Sequence, residues 1–453
     1  MLINQPIPNN VHRSSDLNKI LISSLESVDP KQCVKNVLNR KGNSLFIKDQ
    51  EIDLQKVNRI FVIGVGKAVL PMASAVNEVL GDLISEGTLI AKHEDAGIQS
   101  KLNRQIKVLI GSHPIPSDNS VKATGVMLEM LKKTAPDDLV IGLISGGGSA
   151  LMTYPVKEIG LSGLQKTTSL LLKCGATIEE MNTIRKHLDL VKGGGLLKYI
   201  SPAKSVHLIL SDVLGDPLSM IASGPTSADP TTYENCLEII HKFRITDQMD
   251  EKVLEYLQKG AEGLIAETIK EGDTTSNDHS NFIVGSLSIA AEAANAQAET
   301  LGFECKILTT SLRGEARIMG VDLAKQLVDL VQSKNIREKP TCLIAGGETT
   351  VTVTGNGRGG RNQELVLAAA QVLQGVNNCA FVSFATDGED GPTNAAGGFV
   401  TGKTIQNGLD LGLDSQDYLN ENNAYVFLEK TGALIRTGPT GTNVNDLVLM
   451  FAF

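Results

Sequence analysis

The fold is decided by two segments, Phe61-Val-Ile-Gly-Val-Gly-Lys67 and Leu139-Val-Ile-Gly-Leu-Ile-Ser-Gly-Gly-Gly-Ser149. Each segment joins an apolar run to a glycine-rich turn. Continuous apolar runs indicate strands that are covered on both faces of a parallel sheet. Similar runs follow at 106–111 and 206–212, and stretches with helical spacing lie between the runs. This alternation predicts a doubly wound α/β domain with crossover helices.

The chain length and one polar stretch predict two domains. At 453 residues the chain is too long for one ordinary hydrophobic core. Residues 266–280 include the breaker-rich EGDTTSNDHS and are predicted to link a first domain, residues 1–265, to a second, residues 281–453. The second domain is predicted to be smaller, also α/β, with a strand at 281–285 and a hairpin at 350–354.

Composition limits the class of protein. A net charge of −9 and the lack of tryptophan argue against a nucleic-acid-binding surface, and no apolar stretch has the ~18 residues that span a bilayer. The six cysteines are scattered without a C-x-x-C pair, as is typical of reduced core thiols. Arg13 and Ser14 give only a faint hint of organelle targeting, so a cytoplasmic location is predicted. The charge and hydropathy described above predict that the protein has no nucleic-acid or membrane partner. The sequence does not decide whether the protein is a monomer or an oligomer such as a homodimer.

Glycine clusters follow the predicted strands, at the edge of the sheet where open α/β proteins bind ligands. Gly66 and Lys67 form the first turn, but Val69 replaces the third glycine of a dinucleotide fingerprint and no Walker A loop is present. The second turn offers backbone N–H donors for a phosphate or carboxylate, and its members are Ser145, Gly146, Gly147, Gly148 and Ser149. A solvated turn lysine remains the alternative for Lys67.

A cationic segment and a lone carboxylate complete the candidates in the first domain. The segment contains Asn182, Arg185, Lys186 and Lys192 and suits an anionic substrate, although a solvated helix face is an equal alternative. Asp212 follows a predicted strand, where it would orient a hydroxyl, accept its proton or hold Mg²⁺, or else cap the next turn.

Polar residues of the second domain also follow predicted strands. Arg358 and Arg361 stand among glycines at a predicted helix start, where guanidinium forks and the helix dipole favour phosphate oxygens. The other candidates in this domain are Glu348, Asn362 and Asp387. The carboxylates near Asp387 indicate a hydrated Mg²⁺, ribose contacts or an acidic surface turn.

In combination these segments closely resemble the glycerate 2-kinase family, whose carboxyl-terminal module is called MOFRL. The resemblance spans about residues 15–450, and its motifs occur in the family's order. They are GVGKA at Gly64, HPIPSDNS at His113, LISGGGSAL at Leu143, RKHLDLVKGG at Arg185, LSDVLGDP at Leu210, ASGPTSADPTT at Ala222, GGETTVTV at Gly346, GRGGRNQEL at Gly357, ATDGEDGP at Ala385 and TGPTGTNVNDL at Thr437.

The resemblance implies a Rossmann-like first domain, a smaller second α/β domain and an active site in the cleft between them. It also implies ATP, Mg²⁺ and D-glycerate. The family's active-site lysine falls on Lys67, its arginine on Arg361 rather than Arg358, and its LSD-motif acid on Asp212.

These assignments give a hypothesis for phosphoryl transfer. Lys67 and Arg361 would stabilise the transferring phosphoryl group, the 145–149 turn would bind an anionic group, and Asp212 would orient or deprotonate the hydroxyl. Lys192, with Arg185 or Lys186, would hold the carboxylate of glycerate. A 2-phosphoglycerate product is favoured over 3-phosphoglycerate. A hydroxypyruvate reductase and a non-catalytic nucleotide or sugar-acid binding protein are the alternatives, while the metal ligands and the domain that binds adenine stay open.

Overall fold

The structure is a computed structural model that describes residues 3–273, 278–333 and 339–453. Part of the predicted linker, residues 274–277, therefore lies outside the described residues. The helices, in chain order, are α1 (Ser14–Ser27), α2 (Pro30–Val37), α3 (Val69–Leu80), α4 (Ala96–Gln99), α5 (Asp118–Leu131), α6 (Gly148–Leu151), α7 (Gly160–Lys173), α8 (Ile178–His187), α9 (Gly195–Ile200), α10 (Tyr233–Lys242), α11 (Glu251–Ala261), α12 (Leu287–Thr300), α13 (Ala316–Gln332), α14 (Arg361–Leu373), α15 (Thr404–Asp410), α16 (Ser415–Asn420) and α17 (Ala424–Lys430).

The strands form three sheets. They are β1 (Leu38–Lys41), β2 (Ser44–Ile47), β3 (Gln50–Asp53), β4 (Ile60–Val65), β5 (Ile84–Ala91), β6 (Ile106–Ile110), β7 (Leu139–Ile144), β8 (Lys204–Leu210), β9 (His279–Gly285), β10 (Glu304–Leu312), β11 (Thr341–Gly347), β12 (Cys379–Ala385), β13 (Gly397–Val400), β14 (Leu434–Ile435) and β15 (Asp446–Ala452). Two six-stranded sheets organise the chain, and β1-β2-β3 form a small antiparallel sheet.

The described chain divides into two compact units. The parallel-sheet unit contains Pro30–Ser211 and Asp216–Val284, and the mixed-sheet unit contains the N-terminal segment up to Asp29, Asp212–Gly215 and Gly285–Phe453. The sequence predicts instead that residues 1–265 form one domain. The N-terminal segment differs because α1 packs on α12 and Arg13 donates a 2.7 Å hydrogen bond to the Leu301 carbonyl.

The main sheet of the parallel-sheet unit has the order β6-β5-β4-β7-β8-β9, and β4 pairs in parallel with both β5 and β7. When the six strands of this sheet are numbered from 1 to 6 along the chain, their order across the sheet is 3-2-1-4-5-6. The chain therefore reverses its direction across the sheet between β4 and β7. Every residue of β4 and β7 is buried. The predicted doubly wound, Rossmann-like domain is confirmed.

The mixed-sheet unit is built around its last strand. Its order is β10-β11-β15-β12-β13-β14, and β15 runs antiparallel to both of its neighbours, β11 and β12. All residues of β15 are buried, and α14 contributes a nearly continuous buried face. The prediction of a second α/β domain is confirmed.

Two predicted elements of the second domain differ from the structure. The strand predicted at 281–285 is part of β9, which lies at the edge of the parallel sheet. The stretch 350–354 forms no hairpin, because its Thr350 and Thr352 N–H groups donate to the Gly314 carbonyl and the Glu315 carboxylate. Within residues 3–273, 278–333 and 339–453, no helix has both the length and the apolar character needed to cross a bilayer.

Candidate active site

The glycine turns after β4 and β7 meet where the sheet changes direction. The Lys67 N–H donates to the Gly146 carbonyl at 2.9 Å, and the Ala68 N–H donates to the Ser145 hydroxyl at 3.1 Å. Gly66 has a φ of 129°, and a Cβ atom there would lie 2.1 Å from Ser145 Oγ. The Ser145 hydroxyl therefore holds the two turns together, and only glycine fits at position 66.

Lys67 places its side chain beside the second turn. Lys67 is exposed, and a Cβ built on Gly147 would lie 3.3 Å from the Lys67 Cε and 2.9 Å from the His113 Cδ2. Burial, followed by the positive charges of Lys67 and Lys92, lowers the pKa of His113. The positive charge at this edge therefore comes from lysine ammonium groups, while His113 stays neutral at pH 7.

A third turn, residues 222–224, supports the second. Ala222, Ser223 and Gly224 have φ values of 51°, 61° and 60°, so three consecutive residues are left-handed. A Cβ on Gly148 would lie 2.7 Å from the Ala222 Cβ. The sequence indicates only an ordered loop here. The contact with Gly148 makes this turn part of the site.

Ser223 links the turns to α8. Its hydroxyl lies 2.7 Å from the Ser149 hydroxyl and donates to the side-chain amide oxygen of Asn182 at 3.1 Å. Asn182 and Ser223 are both buried, so the hydrogen bond between them is protected from water. Asn182 thus acts on Ser149 through Ser223, a connection that the sequence does not reveal.

A cavity of about 490 Å³ lies next to these turns, within the parallel-sheet unit. One wall is the loop that precedes α5, another is α7, and a third is the start of α6. The residues that line the cavity are His113, Pro114, Ile115, Pro116, Gly147, Ser149, Ala150, Thr153, Leu164, Gln165, Thr168, Ser169, Leu172, Arg185 and Lys192.

Arg185 is the uncompensated cation of this cavity. Its Nε donates a long, 3.4 Å hydrogen bond to the Thr168 hydroxyl, and burial lowers the pKa of its guanidinium. In the described ranges of the chain, no carboxylate lies within ion-pair distance of Arg185. A half-buried guanidinium with no acidic partner favours an anionic ligand.

The two lysines of the cationic segment are instead paired. Lys192 Nζ lies 3.0 Å from Asp189 Oδ2 and 3.0 Å from the Met152 carbonyl. Burial lowers the pKa of Lys192, and the negative charge of Asp189, which raises it, offsets only part of this effect. Lys186 Nζ lies 3.0 Å from Asp229 Oδ1 in a buried ion pair. Of the predicted carboxylate-binding group, Arg185 and Lys192 line the cavity and Lys186 does not.

In the mixed-sheet unit, Arg361 is held by carboxylates. Its Nη2 lies 3.0 Å from Asp446 Oδ1, its Nε also donates to Asp446, and its Nη1 lies 3.2 Å from Glu348 Oε1. Burial lowers the pKa of Arg361, but the hydrogen bond and charge of Asp446 outweigh it, so the pKa is raised overall. The guanidinium fork is therefore engaged within the protein.

The start of α14 is also occupied from within. Asp390 accepts hydrogen bonds from the N–H groups of Asn362 at 3.1 Å and Gln363 at 2.9 Å. Burial and the neighbouring Asp446 raise the pKa of Asp390 to about 7. A Cβ on Gly360 would lie 2.3 Å from the Asp390 Cγ. The helix N-terminus that the sequence predicts as a phosphate site is thus capped by the protein's own carboxyl group.

The remaining candidates of this unit lie around the same edge. The Arg358 guanidinium lies 4.3 Å from the centre of the Tyr425 ring, and Asp387 accepts the Glu389 N–H at 3.0 Å within a turn. No cluster of three His, Cys, Asp or Glu side chains suited to a metal ion occurs among the described residues.

Asp212 belongs with this second cluster. It follows β8 by two residues, and its carbonyl accepts a 2.9 Å hydrogen bond from Asn445 Nδ2. Asn445 directly precedes Asp446, the partner of Arg361. The mixed-sheet unit thus brings two of the three predicted catalytic residues to the start of β15, and the parallel-sheet unit carries Lys67.

Comparison with known proteins gives consistent matches over most of the chain. A family model described as a domain of unknown function, DUF4147, matches residues 16–258, and the MOFRL family matches residues 341–446. A glycerate 2-kinase from Pyrococcus horikoshii is 40% identical over 95% of this chain and 95% of its own. A D-glycerate 2-kinase from Thermotoga maritima is also 40% identical, over 95% and 96%.

A solved structure agrees with these relatives. The crystal structure of a glycerate kinase from Thermotoga maritima matches with a TM-score of 0.85 and 39% identity, and covers 97% of this chain and 99% of that one. Sequence and fold therefore point to the same family.

Proposed function

Because the chain belongs to the glycerate 2-kinase (MOFRL) family, we propose that it transfers the γ-phosphoryl group of ATP to D-glycerate. The observation that supports this most directly is the meeting of two glycine turns beside Lys67. It occurs where a doubly wound sheet changes direction, the usual place for nucleotide ligands. Backbone N–H groups and an ammonium suit a reaction that depends on positioning and charge stabilisation.

In the parallel-sheet unit, we assign roles by position to Lys67, the 145–149 turn, Asn182 and Lys186. Lys67 stabilises the charge on the phosphoryl group, and the backbone of residues 145–149 binds phosphate oxygens. Asn182 is a positioning residue, because it reaches Ser149 only through Ser223. Lys186, which pairs with Asp229, holds α8 in place rather than contacting substrate.

In the mixed-sheet unit, the roles of Arg361 and Asp212 are proposals of the same kind. Two donors of Arg361 bind Asp446, so the Nη1 donor, which faces the half-exposed Glu348, is the one we assign to the phosphoryl group. Asp212 orients or deprotonates the hydroxyl of glycerate. Asp212→Asn should therefore lower kcat while leaving the affinity for ATP unchanged.

Further details are also part of the proposal. We favour 2-phosphoglycerate as the product and a cytoplasmic location, where the six free cysteines stay reduced. Mg²⁺ is expected to enter with the nucleotide phosphates, as it does in many kinases.

Phosphorus NMR of the purified protein with ATP, Mg²⁺ and D-glycerate tests the proposal. The expected result is ADP together with one phosphomonoester, and the coupling of its phosphorus to one or two protons distinguishes 2- from 3-phosphoglycerate. Absence of any phosphoglycerate would refute the kinase function.

The reductase alternative is tested in parallel. Loss of nicotinamide absorbance with hydroxypyruvate would support it instead. Val69, buried at the start of α3, stands where a dinucleotide fingerprint has its third glycine, which argues against that outcome.

A further inference from the structure

We propose that the cavity between the 113–116 loop and α7 binds the adenosine part of ATP, and that Arg185 binds its phosphates. This inference rests on the proposed kinase function and names the nucleotide subsite of that function. It assigns the adenine to the parallel-sheet unit.

The shape and chemistry of the walls favour a nucleoside over glycerate. Ile115 and Leu172 expose 67% and 58% of their surface at the rim, and Leu164 forms part of the buried wall. Glycerate carries an oxygen on every carbon and gains little from apolar walls, whereas a purine is a flat ring with two apolar faces. At about 490 Å³ the cavity is also far larger than a three-carbon acid needs.

Polar side chains of α7 line one edge of the cavity. The Gln165 amide donates a 2.7 Å hydrogen bond to the Pro116 carbonyl, which ties α7 to the opposite loop and fixes the width of the cavity. The Ser169 side chain lines the cavity on the same helix, while the Thr168 hydroxyl accepts the hydrogen bond from Arg185 and belongs to the phosphate end. A slot with apolar faces and a hydrogen-bonding edge is what an adenine ring requires.

The charge of the cavity matches the other end of a nucleotide. Lys192 is neutralised by Asp189, but Arg185 has no carboxylate partner in the part of the chain that the structure describes. Guanidinium groups bind phosphate oxygens with two parallel hydrogen bonds. The Arg185 guanidinium is therefore the group that forms an ion pair with the phosphates.

The cavity also borders the glycine turns. Gly147 and Ser149 line it and belong to the turn that Lys67 contacts. A nucleotide whose base lies against α7 thus has its phosphates directed toward the glycine turns.

A bulky substitution in the slot tests the assignment. Ser169→Trp fills the cavity from an exposed position of α7, and Lys166→Trp is the matched control, because Lys166 is exposed on α7 but does not line the cavity. Dissociation constants for ADP and adenosine would be measured by calorimetry without glycerate, and KM values would be measured for both substrates. Circular dichroism would verify that both variants fold.

The expected result for Ser169→Trp is a loss of about tenfold or more in affinity for ADP and adenosine alike, with the KM for D-glycerate unchanged. Lys166→Trp should bind as the wild type does. A raised KM for D-glycerate with normal ADP affinity would place the acid in this cavity and overturn the proposal. Wild-type binding of both ligands to Ser169→Trp would overturn it as well.

Arg185→Gln tests the phosphate end separately. The variant should lose about tenfold in affinity for ADP but little for adenosine. Equal losses for both ligands would contradict the phosphate role. A wild-type protein that binds ADP in this way but makes no phosphoglycerate would refute the kinase function and leave the nucleotide site standing.

Discussion

Lys67 is exposed, and its contacts are those expected for the phosphate-binding role proposed for it. Its N–H bonds to Gly146, and its side chain lies beside Gly147 and His113. We expect Lys67→Ala to lower kcat by about 10²–10³-fold, because the charge on the phosphoryl group is then uncompensated. Lys101→Ala, an exposed lysine elsewhere in the same unit, should retain wild-type turnover. Steady-state kinetics measure both, and a fully active Lys67→Ala would remove the lysine from the mechanism.

Arg361 has a structural role as well as the catalytic one proposed for it. Arg361→Ala should reduce kcat by about 10³-fold, by analogy with arginine fingers. It should also lower the free energy of unfolding by about 3–5 kcal/mol, because Asp446 is left buried without its partner.

The double variant Arg361→Ala/Asp446→Asn separates the two effects. Removing the orphaned charge should restore much of the stability but none of the turnover. Urea unfolding and steady-state kinetics on the same samples measure the stability and the turnover of each variant. Recovery of activity in the double variant would show that Arg361 serves only to neutralise Asp446.

Residues within one turn were predictable, but contacts distant in sequence were not. Lys67 and Ser145 follow apolar strands directly, so the motif itself indicates their place. Ser223 and Asp390 act on Ser149 and Asn362, and nothing in the sequence pairs those positions. The cationic segment shows the same limit, because only the rotation of α8 decides that Arg185 and not Lys186 reaches the cavity.

Among the elements, buried strands with an uninterrupted apolar run were predicted best. The apolar runs that begin at Phe61 and Leu139 correspond to the fully buried strands β4 and β7, whereas β6, whose run contains Lys107, is only partly buried. The sequence does not indicate strand β5, because Ser85, Glu86 and Gly87 interrupt its apolar run. The alternation at 350–354 predicts a hairpin, but its N–H groups bond to the preceding loop, a tertiary contact that local pattern does not encode.

The start of α14 depends on close backbone approach. Gly360 has an extended backbone that any residue could adopt, but a Cβ there would meet Asp390. Gly360→Ala should therefore lower the free energy of unfolding by about 1–3 kcal/mol, the usual cost of overpacking. Gly359→Ala is the matched control, because a Cβ at that position meets no atom closer than 3.4 Å. Denaturation of both variants measures the difference, and equal stability would contradict the packing described for Asp390.

Strand β8 contains a titratable group that matters for acid stability. His207 is fully buried, and burial lowers its pKa to about 3. The unfolded chain, with a histidine pKa of about 6.5, therefore binds more protons between these values. The contribution of His207 to stability is complete above about pH 6.5 and is lost by about 1.4 kcal/mol per pH unit as the pH falls toward 3.

His207→Gln isolates this dependence. The substitution should lower the free energy of unfolding at both pH values, but by about 2 kcal/mol less at about pH 5 than at about pH 7.5. Urea unfolding at the two pH values measures the difference, in which the packing cost of the substitution cancels. An equal loss at both would mean that His207 titrates normally in the folded protein.

For the whole molecule, family, fold class and two-unit organisation were accessible from the sequence. The membership of the N-terminal segment was not, because α1 lies far in sequence from α12. The polar stretch near residue 273 indicates a break in the chain but not which sheet β9 joins. Long-range packing decides both, and it leaves no local signature in sequence.

Deleting the N-terminal segment up to Asp29 tests this organisation. The deletion removes the helix that packs on α12, including the Ser23 hydroxyl that donates to the Ala293 carbonyl. Hydrogen exchange should therefore accelerate in α12 but not in β4 or β7. Lys19→Ala, an exposed position of α1, serves as the control. Unchanged exchange in α12, or equal acceleration in both units, would contradict the division.

The place of β15 in its sheet has a consequence for biosynthesis. This strand is translated after every other strand of the mixed sheet, yet it is the one that joins β11 to β12. Until residues 446–452 have left the ribosome, the nascent chain carries two partial sheets with open edges, which are substrates for chaperones and for aggregation. The parallel-sheet unit uses nothing beyond Val284 and completes itself earlier, so it emerges as a finished domain tethered to an unfinished one.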